Sequence, residues 1–520
     1  MKKRLIFALV FVFALSFVLM SSTKDEGPEE AVKDTVVWGF AHNARSFDPA
    51  IMISGQESSI NNSIYDCLTA YNKDDPGDFI PELAERWDVN SDATEWTFYL
   101  RKGVKFTTGN ELTAEDVVYS LRRGIEQNSP VYPPLKNFIN PNTGFEIIDD
   151  YTVKMKLDVG FGGWAGMLSR SSCGVLDKDE LEKHITSDDP LGSAFLNDNS
   201  IGSGPFYLKE WVRNERIVLE KNDNYWGIKA GYHRVPKYQT FICLHVPESA
   251  TQEMMLRNGD IDMTFSLPKA ALEGLRGHPD IRIDKIPAFI FTGILMNPQF
   301  APFSDVNVRQ AVKYALDYES LVNDVFVAVR LDRPIGKPAV GTDDDYIYSY
   351  DLAKAKSLMA KSRYPDGFDV VLNIGTGIGL GADWETAGLK IADDLSKIGI
   401  NVTLQQNEWS VQDEKLFTAN YEAELNWFGP SFADTEGHLY VLGRVDSVHL
   451  GPMGWNNSDI TRLADEGKAE TDPAKRYEIY RELSEIFAVD GPFAPIAQET
   501  SQFAFRKNIH GWDNNPDYYG

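Results

Sequence analysis

Gly375-Thr376-Gly377-Ile378-Gly379-Leu380-Gly381-Ala382 is the stretch of this 520-residue chain that comes nearest to nucleotide chemistry. Gly377, Gly379 and Ala382 fit a dinucleotide fingerprint between an expected strand and an expected helix. In such a unit the next strand should end on an acidic residue that holds a ribose hydroxyl. Here it ends on Gln405-Gln406-Asn407, so the glycines predict a flexible loop at a pocket or sheet edge, and no cofactor is expected. The chain has no G-x-x-x-x-G-K-[ST] phosphate loop, no G-x-S-x-G nucleophile elbow and no H-E-x-x-H helix. Its eight histidines are scattered without a pair at i, i+2 or i, i+4. Asp343-Asp344-Asp345 and Asn222-Asp223-Asn224 lack the glycine and glutamate that a calcium loop requires and read as solvated turns. The residue types thus point away from catalysis and from a metal site. Trp384, Trp409, Trp427 and Trp455 gather near expected loops and strand ends, where aromatic faces either line a ligand pocket or pack in a core.

The elements that would position such residues alternate between strand and helix. Thr35 to Phe40 reads as a strand, Ser46-Phe47-Asp48-Pro49 as a turn, and Ser58 to Tyr65 as a helix. Alternating Trp96, Phe98 and Leu100, followed by the Lys102-Gly103 turn and then Val104 and Phe106, predicts a hairpin. Thr113-Ala114-Glu115-Asp116 has the spacing of a capping box, with the threonine hydroxyl expected on the N–H three residues on. A wide apolar stripe from Val308 to Phe326 behind Asp305 predicts one helix. A strand at 368 to 374, a helix at 384 to 398 and a strand at 400 to 405 form a β-α-β unit, and Asp472-Pro473 opens a further helix. The class is α/β, and the length predicts two or three domains.

Composition narrows the function. Against 51 basic residues stand 77 acidic ones, and a net charge of −26 repels nucleic acid and anionic lipid. Lys2, Lys3 and Arg4 precede an apolar run from Leu5 to Met20, which is the layout of an export signal; residues 1 to 22 are read as a signal peptide or an uncleaved anchor. No cysteine lies near the end of the run, so a lipoprotein is not expected. Cys67, Cys173 and Cys243 lie far apart and leave open whether two of them form a disulfide.

Several blocks along the chain resemble the bacterial solute-binding proteins of the oligopeptide, dipeptide and nickel-chelate importers. They are Ser46-Phe47-Asp48-Pro49-Ala50, Pro81-Glu82-Leu83-Ala84-Glu85-Arg86-Trp87, and the run from Trp96 through Leu100-Arg101-Lys102-Gly103 to Thr113-Ala114-Glu115-Asp116-Val117. Further matches fall at Gly202-Ser203-Gly204-Pro205-Phe206, Gly259-Asp260-Ile261-Asp262, Val308-Arg309-Gln310-Ala311 and Gly399-Ile400-Asn401-Val402.

The resemblance implies a two-lobed periplasmic-binding-protein fold that closes over its ligand, with an extra domain inserted in the first lobe. After a linker at 23–31, the first lobe would comprise residues 32–75, 199–288 and 496–520, the inserted domain 76–198 and the second lobe 289–495. The crossings would lie near Ile286-Pro287-Ala288 and Pro492 to Ile496. It further implies a non-enzymatic, monomeric partner of ABC-transporter permease subunits in the cell envelope.

In the peptide-binding relatives, segments matching Ser54, Gly55 and Gln56 and matching Asn426, Trp427 and Phe428 hold the ligand backbone. The amine-binding aspartate of their W-x-x-D motif is replaced here by Pro430, with Asp434 as the nearby acid. Peptide is the first expectation. An oligosaccharide on Trp384 and Trp427, or a metal chelate at His438 or His449, is the alternative.

Overall fold

The computed structural model describes residues 34–512 apart from 42–43, 52–54, 73–78, 128–134, 266, 327, 332, 336–346, 377, 380–381 and 431–433. Ser54, the acidic run at 343 to 345 and the N-terminal 33 residues therefore lie outside the described residues. Among those described, no helix is long and apolar enough to cross a membrane.

In chain order, β1 (Thr35–Phe40) and α1 (Gly55–Ile64) open the first lobe. The inserted unit follows, with β2 (Ala84–Val89), β3 (Glu95–Leu100), α2 (Ala114–Gln127), β4 (Phe145–Asp149) and β5 (Thr152–Lys156). The chain then returns through β6 (Phe206–Val212), β7 (Arg216–Lys221), β8 (Thr240–His245), β9 (Met263–Phe265) and the 16-residue β10 (Ile281–Met296). The second lobe adds α3 (Val306–Ala315), β11 (Ala328–Arg330), β12 (Phe368–Gly375), α4 (Trp384–Ser396), β13 (Ile400–Asn407), α5 (Trp409–Thr418) and β14 (Ala423–Phe428). It continues with α6 (Thr435–Leu442), α7 (Ser458–Ala469), α8 (Pro473–Asp490) and the 14-residue β15 (Phe493–Arg506).

One mixed sheet runs in the order β13-β12-β14-β10-β15-β9-β1-β8-β7-β6, with β11 paired on β15. Its centre is the antiparallel ladder of β10 on β15, which starts at Ile281 opposite Arg506 and ends at Leu295 opposite Phe493. The register shifts between Pro287 and Phe291, because proline has no N–H to donate to a ladder. That break faces residues 498 to 500, beyond the expected 492 to 496. Gly491 and Pro492 instead mark the end of α8, whose Gly491 N–H caps Phe487 O. Each half of the sheet has its own core, one around Trp38, Ile60, Cys243 and Phe505, the other around Val312, Ile374, Trp384 and Ile391. The inserted unit folds β2-β3-β5-β4 against α2 around a third core that includes Phe98, Val117 and Trp164.

Two local expectations fail for physical reasons. The partners of β3 are β2 and β5, not residues 104 to 106; Val104 and Phe106 bury their side chains from a loop that is closed on itself by the Lys105–Glu111 bridge and by Phe106 N–H donating to Asn110 O. The helix behind Asp305 stops at Ala315, where Leu316 turns extended, and a new short turn capped by Asp317 follows. Asp305 does cap α3, accepting from Asn307 N–H. At α2 the reciprocal half of the capping box forms: Asp116 accepts the Thr113 N–H at 2.8 Å and also its hydroxyl.

The Ser-Phe-Asp-Pro turn is more than a bend. Ser46 Oγ accepts the Asp48 N–H, Asp48 Oδ1 accepts the Ala50 N–H, and both Asp48 oxygens receive Arg123 of α2 at 2.8 and 2.5 Å. This fully buried bidentate pair staples the first lobe to the inserted unit. Removing one member strands a buried charge, so Asp48→Asn should lower unfolding free energy by about 3 to 5 kcal/mol in urea titration.

Candidate functional site

The break in the β10–β15 ladder is where the two halves of the sheet meet, and it collects polar side chains. Gln498 and Thr500 stand opposite Phe291 and Pro287, and both are buried together with Gln502. Strand β14 runs alongside in register, Trp427 next to Thr292 and Phe428 next to Phe291. Past its end, a Cβ placed on Gly429 would touch Ile290 Cγ1 at 3.6 Å, so the chain leaves β14 directly over the crossing.

Strand alternation sorts the three expected residues on β14. Trp427 is 41% exposed, while Asn426 and Phe428 are buried on the opposite face. Asn426 Nδ2 donates to Glu424 Oε1 at 2.7 Å, and its Oδ1 accepts the Trp427 N–H. Phe428 packs edge-on to Phe493 and His449. Of the three, only Trp427 is exposed, while the Phe428 ring packs on Phe291 at 5.9 Å. Gly55 and Gln56 form the first turn of α1, and the loop before them is anchored by Arg45 N–H donating to the buried Glu57 Oε1 at 2.6 Å.

Asp434 is occupied elsewhere. It caps α6 through the Glu436 N–H and takes a bidentate pair from Arg476 of α8 at 2.5 and 2.6 Å, both side chains buried. Its charge is thus compensated inside the second lobe, which is a poor arrangement for receiving a ligand's ammonium.

The alternative sites meet similar corrections. Trp384 is fully buried against Phe326 and offers no face to a sugar. His438 lies buried against Phe291, and burial pulls its pKa down to about 3; His449 lies buried among Phe417 and Phe428 with its pKa down to about 4. Among the described residues no group of three His, Cys, Asp or Glu side chains is placed to hold a metal. All three cysteines are buried thiols, and Cys67 Sγ donates to Arg170 O at 3.0 Å.

Sequence reasoning missed a contact across the molecule. The loop that leads into the buried Trp164 reaches the second lobe, where Gly162 N–H donates to Lys468 O at 2.7 Å. Lys468 Nζ in turn sits 4.7 Å from the Phe138 ring centroid. A Cβ on Gly162 would fall 2.1 Å from Glu470 O, and one on Gly163 would fall 2.7 Å from Asp434 Cγ. The paired glycines were the only signal, and glycine pairs are too common to be read as an interlobe contact.

Two lobes continuous through one crossing ladder, a third unit bridging them and an exposed tryptophan at the junction define a ligand-binding protein of the two-lobed type. The sequence pattern of the bacterial extracellular solute-binding proteins, family 5 Middle, matches residues 78–447, and the chain belongs to that family. It is 27% identical over 495 residues to the probable D,D-dipeptide-binding periplasmic protein DdpA of Escherichia coli, covering 93% of this chain and 92% of that one. It is 26% identical to heme-binding protein A of Haemophilus influenzae, covering 96% and 93%. Among solved structures, HbpA2 of Haemophilus parasuis superposes with a TM-score of 0.83 at 22% identity, covering 93% and 98%. The periplasmic binding protein DppA of Helicobacter pylori, in complex with peptide STSA, superposes with a TM-score of 0.72 at 24% identity, covering 93% and 96%. At these identities the structural matches establish the shared two-lobed fold.

The buried polar strip beside Trp427 sets a pH dependence. Burial raises the Glu424 pKa to about 8, against the Asn426 hydrogen bond that lowers it. The folded chain therefore holds a proton that the unfolded chain has released above about pH 4.5, and stability falls as pH rises towards 8. Glu424→Gln should match the parent near pH 4.5, and its advantage in chemical denaturation should widen by about 1.4 kcal/mol per pH unit up to 8.

The glycine contact gives a second expectation. Gly162→Val should lower the melting temperature of the ligand-free protein by a few degrees in scanning calorimetry, through loss of a hydrogen bond and a backbone clash.

Proposed function

We propose that this chain captures a short peptide outside the cytoplasmic membrane and delivers it to the permease subunits of an ABC importer. The observation that carries the reading is Trp427, exposed at the end of β14 over the interlobe crossing in a chain of this family. The name of the D,D-dipeptide-binding relative supports a peptide ligand. An indole face packs against a peptide's apolar side chain, and the strand edge around it offers backbone groups to the peptide main chain. No chemistry on the ligand is needed: contacts from both lobes stabilise the closed form, and only that difference in affinity drives closure. The apolar run from Leu5 to Met20 acts as the export signal.

The proposed ligand-contacting set is Trp427 with the backbone around it, together with Ser54, Gly55 and Gln56 of the first lobe. The proposed partition is residues 32–75, 199–288 and 496–520 for the first lobe, 76–198 for the inserted domain and 289–495 for the second lobe; the separate four-stranded sheet within 76–198 supports the insertion. Since Asp434 is paired with Arg476, the ligand's amine meets a backbone carbonyl or water instead of a dedicated carboxylate. The protein should therefore tolerate N-blocked peptides.

Thermal shifts across L-dipeptides, D,D-dipeptides, N-acetylated peptides, maltodextrins and haemin test this directly, because a ligand of the folded state raises the melting temperature by mass action. Peptides should stabilise the protein, with N-acetylation costing less than tenfold in affinity, and Trp427→Ala should weaken binding tenfold or more. Stabilisation by haemin or sugar with none by any peptide overturns the peptide assignment.

A further inference from the structure

The first lobe contains a second pocket, remote from the crossing. It is partly enclosed, with a volume of about 230 Å³, beneath the C-terminal half of α1. Its floor is the N-terminal end of the first-lobe sheet, where Val36 of β1 pairs with Phe241 of β8 and Trp38 with Met263 of β9. Trp512 closes it from the C-terminal side, its ring 6.3 Å from that of Trp38 and edge-on to it. β1 enters the sheet at this pocket and leaves it at Phe40, on the side from which the chain proceeds to the Ser-Phe-Asp-Pro turn and the start of α1. The pocket and the crossing therefore lie at different places in the fold.

Two of its wall groups are chemically incomplete. Trp38 Nε1 and Trp512 Nε1 are both buried and have no hydrogen-bond partner, and Trp38 is only 1% exposed. An indole N–H is a donor only, so each calls for an acceptor. The remaining lining is mainly aliphatic and aromatic, and a pocket of this size is larger than cavities that accept benzene. The charged residues of the lining are Glu82, Arg234 and the exposed Lys237; Arg234 is paired with Glu82 and with the buried Asp66, so the buried charges are already matched and a neutral guest disturbs none of them.

We propose that this pocket is a second ligand site, for a small neutral molecule with an apolar body and one acceptor oxygen, such as an aryl ketone, ester or amide. Its oxygen accepts from the paired indoles while its body fills the space under α1.

The test uses the full chain with tryptophan labelled with nitrogen-15 at the indole, and acetophenone, ethylbenzene and benzoate as probes. The Trp38 and Trp512 signals are assigned with Trp38→Phe and Trp512→Phe. Titration is read on the wild-type protein, so a misfolded Trp38 variant costs only one assignment, and the Trp512 signal still reports. Acetophenone at millimolar concentration should shift both indole signals and leave that of Trp427 in place. It should bind at least fivefold more tightly than ethylbenzene or benzoate and survive saturation of the cleft with peptide. Unmoved Trp38 and Trp512 signals would identify a pocket filled by water alone and overturn the proposal. So would equal binding of ethylbenzene, tighter binding of benzoate, or displacement of acetophenone by the cleft ligand.

Discussion

The antiparallel pairing of β10 with β15 is the constraint from which the rest of the molecule follows. Both strands are long enough to belong to both halves of the sheet, so the two lobes share one continuous hydrogen-bonded spine. The register of that spine shifts between Pro287 and Phe291 and again between Thr292 and Gly293, and Trp427 lies beside this stretch. Strand β14 can present Trp427 there only because β10 carries it in register up to the break. The exposed indole and the buried Asn426 and Phe428 are then fixed by strand alternation alone.

Around this spine, guanidinium groups paired with buried carboxylates fasten the units. Arg123 joins α2 to the Asp48 turn, Arg234 draws Asp66 and Glu82 together, and Arg476 holds Asp434 at the start of α6. Asp66 is also the acceptor for Trp226 Nε1 at 2.8 Å and Ser203 Oγ at 2.9 Å. The sequence blocks that mark the family are largely these anchors: Asp48 in the first, Glu82 in the second, Ser203 in the fourth. They are fixed by the cost of leaving a buried charge or donor unpaired, and this explains why such motifs report the fold while saying little about the ligand.

Much of the fold was legible because local signals and tertiary structure agree. β1 begins and ends where its pattern predicted, Asp305 and Asp472 cap the helices expected of them, and β12, α4 and β13 form the anticipated parallel unit. Failures occur where a side chain is buried without regular backbone, as at Val104 and Phe106, or where an apolar stripe continues past a break, as at Leu316. The site was less legible. Trp427, Trp384 and Asp434 are equally plausible contacts in a linear sequence, and only burial and pairing separate an exposed indole from a core residue and a neutralised acid. The Gly162 contact joins segments 306 residues apart, and nothing local encodes it.

Because the two crossing strands are bonded to each other, they behave as a ribbon and not as two independent tethers. A ribbon bends easily across its face yet resists shear within its plane and sliding of one edge past the other. The register shifts between Pro287 and Gly293 fall in one short stretch of that ribbon, so the place where it can crease is set by the backbone of the spine, ahead of any side chain at the junction of the lobes.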